Sequence, residues 1–174
     1  MASTISVDNI QGSTTAGNVK LPAGASLQVV HMNGNSQALT STTSSSFTEI
    51  DTDFRTTITP KYSSSKILFI CKLGLGGANN GNHDTQVFAR LFDVTANAVV
   101  GNAHATYGHG GFRSYDYGGS GHYVQLGTTF DTLIDSWGTT AKTFTFQVKK
   151  NAGDEVRVND ESKATSITIM EIAG

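Results

Sequence analysis

The chain has 174 residues, a mass of 18.4 kDa and a formal net charge of −2, which is one domain's worth of sequence and enough to bury a proper core. Charged residues make up only 15%, so there is no broad basic surface for nucleic acid, and no apolar run approaches the roughly 20 residues of a membrane-spanning helix. A single cysteine, Cys71, excludes an intrachain disulfide and a Cys-rich zinc module.

Composition points to an all-β chain. There are 19 Gly, 23 Thr and 17 Ser but 2 Pro, and helix formers are scarce while Thr, Val, Ile and Phe recur in short runs. Residues 1–24 stand apart. They hold one alternating run, Ile5-Ser6-Val7-Asp8-Asn9-Ile10, followed by a small, polar stretch. Such an arm has too few apolar residues to fold alone. Its apolar side chains Ile5, Val7 and Ile10 suit docking on a partner surface or adding a strand to a partner's sheet. No charged-then-apolar secretion signal is visible in it, and synthesis in a reducing compartment is expected.

From residue 25 onward the pattern is strands and turns. Leu27, Val29 and His31 alternate with Gln28, Val30 and Met32. A polar loop is expected over 33–46. Ile50, Thr52, Phe54, Thr56 and Ile58 then share one face of a half-buried antiparallel strand, with Glu49, Asp51, Asp53 and Arg55 on the other. Residues 66–75 are the most apolar run and read as a central strand, with Ile67, Phe69, Cys71, Leu73 and Leu75 on one face and Leu68 and Ile70 on the other. Residues 76–84 are expected to turn. A strand over 86–94 leads through Thr95-Ala96-Asn97 into a hairpin. The segment 101–121 is rich in glycine and carries Tyr107, Phe112, Tyr115 and Tyr117, and reads as a long loop. Further strands are expected over 123–134, 143–149, 156–158 and 166–172. Eight or nine short strands without a convincing helix predict an antiparallel β-sandwich or jelly roll.

Several short blocks resemble small structural proteins of bacteriophage particles, the tail-fibre-like surface proteins common in cyanophages. They are Ser3-Thr4-Ile5-Ser6-Val7-Asp8-Asn9-Ile10-Gln11, then 23–30, Thr57-Ile58-Thr59-Pro60, 63–68 and the ending 167–173. The resemblance implies a non-enzymatic virion surface protein, held by its N-terminal arm (1–24) and projecting a β-sandwich (25–174) that forms a homotrimer. It would serve as head decoration or as a short host-attachment protein. Strands with apolar residues on both faces need a cover, and a trimer interface on Ile67, Phe69, Ile167 and Ile169 is expected.

Sites are sparse. His104, His109 and His122 lie close in sequence with Asp116 between them, and His31 ends an early strand where it could meet copies of itself on a symmetry axis. Irregular spacing among glycines argues against a metal centre, and no metal or cofactor is expected. The carboxylate pairs Asp131/Asp135 and Asp51/Asp53 invite comparison with glycosidases, but each also suits an exposed strand face. The aromatic loop is the best binding candidate. Tyr107, His109, Tyr115 and Tyr117 could stack against a host cell-surface glycan. The competing reading is a soluble carbohydrate-binding module or small glycan hydrolase released at lysis.

Overall fold

The computed structural model describes residues 23–34, 40–79, 81, 84–115, 122–159 and 165–174. The expected virion-docking residues Ile5, Val7 and Ile10 lie outside them, as do Asp116 and Tyr117. Among the described residues twelve strands form: β1 (Ser26–Asn33), β2 (Thr40–Thr42), β3 (Thr48–Glu49), β4 (Thr56–Ile58), β5 (Lys66–Asn79), β6 (Asp84–Asp93), β7 (Ala98–Val99), β8 (Gly110–Tyr115), β9 (His122–Asp135), β10 (Lys142–Ala152), β11 (Glu155–Val158) and β12 (Ser166–Ile172).

All the strand pairs are antiparallel and they make two six-stranded sheets. In the first, β1 pairs β12, β12 pairs β5, and β9 lies along the other side of β5; β11 and β2 extend the sheet beyond the end of β12. In the second, β3 and β4 pair β10, β10 pairs β6, and β6 pairs β7 and β8. Take β1, β4, β5, β6, β8, β9, β10 and β12 as the eight main strands. The first sheet then runs first, eighth, third, sixth and the second runs second, seventh, fourth, fifth, which is the jelly-roll winding. The all-β antiparallel sandwich read from the pattern is the observed architecture.

The core forms where the inner faces meet. Ile67, Phe69, Cys71, Leu73 and Leu75 of β5 are fully buried, as are Ile167 and Ile169 of β12 and, on the second sheet, Val87, Ala89, Leu91 and Val148; Phe144 and Phe146 are all but fully buried. Phe69 meets Phe144 edge-on across the sheets, with ring centroids 4.8 Å apart. This placement corrects the trimer interface expected on Ile67, Phe69, Ile167 and Ile169. Alternate side chains of a strand point to opposite faces, and these four belong to the set that fills the chain's own sandwich. The outward set of the same two strands includes Leu68, Ile70, Thr168 and Met170.

Four further expectations change for local reasons. The strand expected over 50–58 is broken at Thr52–Phe54 by a single 3₁₀ turn, because the Asp51 carboxylate accepts the Asp53 backbone N–H at 3.0 Å and competes with the sheet ladder. Phe54, Thr56 and Ile58 remain buried nonetheless. The turn expected over 76–84 is largely strand, with β5 running on to Asn79. Gly76 and Gly77 mark a close approach there: a Cβ on Gly76 would strike the Tyr123 ring and one on Gly77 the Thr85 side chain. Within 101–121, residues 110–115 form β8, and Gly111 is bare because Val87 and Phe88 occupy the space beside it. The polar loop over 33–46 contains the short strand β2.

One inward position of the first sheet carries a charge. Glu171 is fully buried, and its carboxylate accepts the backbone N–H groups of Lys61 (2.7 Å) and Tyr62 (3.0 Å), the Ser65 hydroxyl (2.7 Å) and the Gln28 amide (2.7 Å). Burial pushes its pKa up, and the four donors outweigh that and hold it below the ordinary value of 4.5. The group therefore ties β1, β12 and the 59–65 turn together at one end of the sandwich.

Two outcomes follow. Phe69→Ala is expected to lower stability by about 3–5 kcal/mol through an unfilled core, read as a drop in urea midpoint. Glu171 contributes stability that is present above pH 4.5 and is lost as pH falls through its lowered folded pKa. Glu171→Gln is expected to cost about 1–3 kcal/mol at neutral pH and to flatten that acid limb in urea titrations run at a series of pH values.

Candidate interaction surfaces

The residues proposed for a glycan site do not converge. Tyr107 sits on the outer face of the second sheet, stacked on His104 (4.6 Å) and tilted against Phe88 (5.1 Å). Tyr115 lies on the same outer face, but at the far end of β8, opposite Asp84; Phe88 is opposite Gly111. Four rungs of ladder, roughly 13 Å, separate the two places. Between them Arg113 forms a two-point ion pair with Asp84 (3.0 and 2.8 Å), which holds the Asp84 carboxyl below its usual range.

His109 faces the other way and serves the fold. Its Nδ1 accepts the Leu91 backbone N–H at 3.1 Å, its Nε2 donates to the Val100 carbonyl at 2.8 Å, and its ring stacks on Phe130 at 5.0 Å. Both ring nitrogens are engaged, so His109 has nothing to offer a sugar or a metal, which corrects its expected place in a glycan site. Burial pushes its pKa down from 6.5; the bond to the Val100 carbonyl opposes this and the nearby Arg90 charge adds to it. His104 is occupied too, its Nδ1 accepting the N–H groups of Thr106 and Tyr107. His31 Nδ1 meets Thr168 Oγ1 at 2.8 Å. No group of three or more His, Cys, Asp or Glu side chains that could hold a metal occurs among the described residues.

The carboxylate pairs are also apart or already employed. Asp131 and Asp135 point outward from β9 four residues apart, roughly 13 Å along the strand, beyond the roughly 5–9.5 Å that a glycosidase pair spans. They border a groove of about 630 Å³ between β9 and the 101–109 segment, lined also by Lys66, Asn102 and His109. Asp135 pairs with Lys66 at 3.3 Å, and Asp51 accepts from Asp53 N and Thr40 Oγ1. Cys71 is buried in the core, and burial, aided by the Asp131 charge, pushes its thiol up to about 12, so it stays an inert apolar filler. Trp137 closes one end of the sandwich, donating Nε1–H to the Thr140 carbonyl at 2.6 Å and packing on Phe144.

The two outer faces differ in a way that sequence periodicity did not reveal. The second sheet covers the Phe47, Phe88 and Phe92 rings of its outer face with the chain's own side chains, while Tyr107, Tyr115 and Val99 on that face stay exposed. Arg90 lies 4.3 Å over Phe47 and 5.5 Å over Phe92, and Lys149 lies 5.0 Å over Phe47 and 5.9 Å over Phe88, where Tyr107 also packs. The first sheet leaves its outward aliphatic side chains uncovered. Val29 is 55% exposed, Leu133 53% and Ile70 40%.

No protein-family model and no curated protein matches the chain. Among solved structures it is similar to one of infectious bursal disease virus, Gt strain, at 9% identity and a TM-score of 0.46. That match covers 99% of this chain and 43% of the viral one, so the chain spans less than half of that neighbour's length. It is also similar to the Eiger TNF from S. frugiperda, at 8% identity and a TM-score of 0.31, over 78% of this chain and 92% of that one. Neither likeness is close enough to bear on function.

The imidazole of His109 tests whether this segment is structural. Its folded pKa is depressed, so the stability it contributes is complete above 6.5 and is lost as pH falls below that value. His109→Gln is expected to lower the urea midpoint at neutral pH and to reduce its change between about pH 7.5 and about pH 5.5.

Proposed function

We propose that the chain is a non-enzymatic structural protein of a bacteriophage particle, carried on the particle surface. Residues 1–24 hold it there, and the sandwich from residue 25 projects as head decoration or as a short attachment module. The observation that carries this reading is the contrast between the outer faces. A sheet that leaves the aliphatic side chains Val29, Ile70 and Leu133 in water, beside one whose Phe47, Phe88 and Phe92 rings are capped from within the chain, suits assembly. The resemblance of the opening and closing blocks to phage structural proteins supplies the kind of assembly.

The polar groups fit the same reading. Both His109 nitrogens, the Asp51 carboxylate and the Glu171 carboxylate are spent on holding backbone in place. The chain enters the sandwich where Gly24 N–H bonds the Ala173 carbonyl at 2.8 Å. Whatever precedes that point therefore departs from the end of the first sheet where β1 and β12 meet.

Deletion of residues 2–22 is expected to abolish recovery of the protein in purified particles while leaving its circular dichroism spectrum and urea midpoint unchanged. A truncated chain that decorates particles at the full level would show that the arm does no docking.

A further inference from the structure

The uncovered face of the first sheet has an internal order that names its occupant. Reading outward-facing residues across β1, β12, β5 and β9, one rung is Val29, Met170, Leu68 and Leu133, each directly opposite the next. The neighbouring rung is His31, Thr168, Ile70 and Asp131. The first rung is apolar from edge to edge. The second ends in an imidazole on one side and a carboxylate on the other. His31 uses Nδ1 for Thr168, which leaves Nε2 for a partner.

We propose that this face binds a second copy of the chain, sheet against sheet, about a two-fold axis parallel to the strands and centred between β12 and β5. A rotation about that axis keeps each residue at its own height and exchanges the two ends of its rung. Val29 then meets Leu133 of the partner subunit, Met170 meets Leu68 of the partner subunit, and His31 meets Asp131 of the partner subunit, each contact occurring twice. In the first rung apolar falls on apolar, and in the second imidazole falls on carboxylate while Thr168 meets Ile70 of the partner subunit, with strands of the two sheets aligned as in other face-to-face sheet packings. The pattern is self-complementary because unlike groups stand at opposite ends of one rung. The mode of assembly rests on the structural role proposed above, and this face supports a pair rather than the trimer that the resemblance implies.

The exposure of Val29 and Leu133 makes the test clean, since neither contributes to the core. Sedimentation of the full chain is expected to show a dimer. Val29→Lys and Leu133→Asp, each alone, are expected to give monomers, because each sets a charge against an apolar partner. An equal mixture of the two variants is expected to recover a dimer, the lysine of one facing the aspartate of the other. The double variant Val29→Cys with Leu133→Cys is expected to form a covalent dimer under mild oxidation. The two positions are three strands apart in one chain, roughly 14 Å, too far for an internal disulfide, and Cys71 is buried. A wild-type monomer or trimer, a dimer indifferent to both single substitutions, a mixture that stays monomeric, or cysteine variants that do not cross-link would each overturn the pairing. Recovery of the wild-type chain in purified particles reads the structural role separately. A particle-borne monomer overturns the pairing alone, and a dimer missing from particles overturns the role while supporting the pairing.

Discussion

The strict alternation of side chains along β5 is the constraint on which the rest of the molecule hangs. Ile67, Phe69, Cys71, Leu73 and Leu75 point inward and are fully buried. Because β5 is paired along its length by β9 on one side and by β12 and β11 on the other, its register sets theirs. A slip of one residue would move the whole core set into water and bring Lys66, Leu68, Ile70 and Lys72 inside. The same alternation that fills the core thus aligns Leu68 with Met170 and Leu133, and makes the outer face a set of ordered rungs.

Polar chemistry inside the molecule is devoted to geometry. Glu171 gathers four donors from β1 and the 59–65 turn, and His109 joins β6 to the Val100 carbonyl while stacking on β9. In both, a titratable group is held in the form its partners require, the carboxylate charged and the imidazole neutral. Both lose stability on acidification, over different ranges of pH. Such groups position loops at the ends of a sandwich, where the ladder alone leaves backbone donors and acceptors to be satisfied.

The outer faces of the two sheets are treated differently. Arg90 and Lys149 lie over Phe47, Phe88 and Phe92, so the second sheet caps these rings within the monomer and leaves Tyr107, Tyr115 and Val99 exposed around them. On the first sheet Val29, Met170, Leu68 and Leu133 form an apolar rung, with His31 and Asp131 at the ends of the next rung and Lys66 and Lys72 outward on β5 to either side. The proposed structural role rests on this asymmetry, because the core alone would serve any jelly roll.

The strand pattern was legible in the sequence because hydrophobic period and glycine- or asparagine-marked turns are local. The runs at 66–75, 143–149 and 166–172, and the turn at Asn97, with its positive φ of 51°, are of this kind. The segments that misled, 50–58, 76–79 and 110–115, are those where a side chain or a neighbouring ring decides the backbone: Asp51 on the Asp53 N–H, Tyr123 over Gly76, Phe88 beside Gly111. Period two also shows that a strand has two faces without showing which faces the core, so the expected interface residues Ile67, Phe69, Ile167 and Ile169 fell on the wrong side. Glu171 drew no expectation from the sequence and His109 read as part of a binding loop, because the donors and acceptors that engage them are brought to them only by the fold. Which residues share a rung across four strands was likewise a tertiary matter, since Val29 and Leu133 lie more than a hundred positions apart and are placed at one height only by the register of the strands between them.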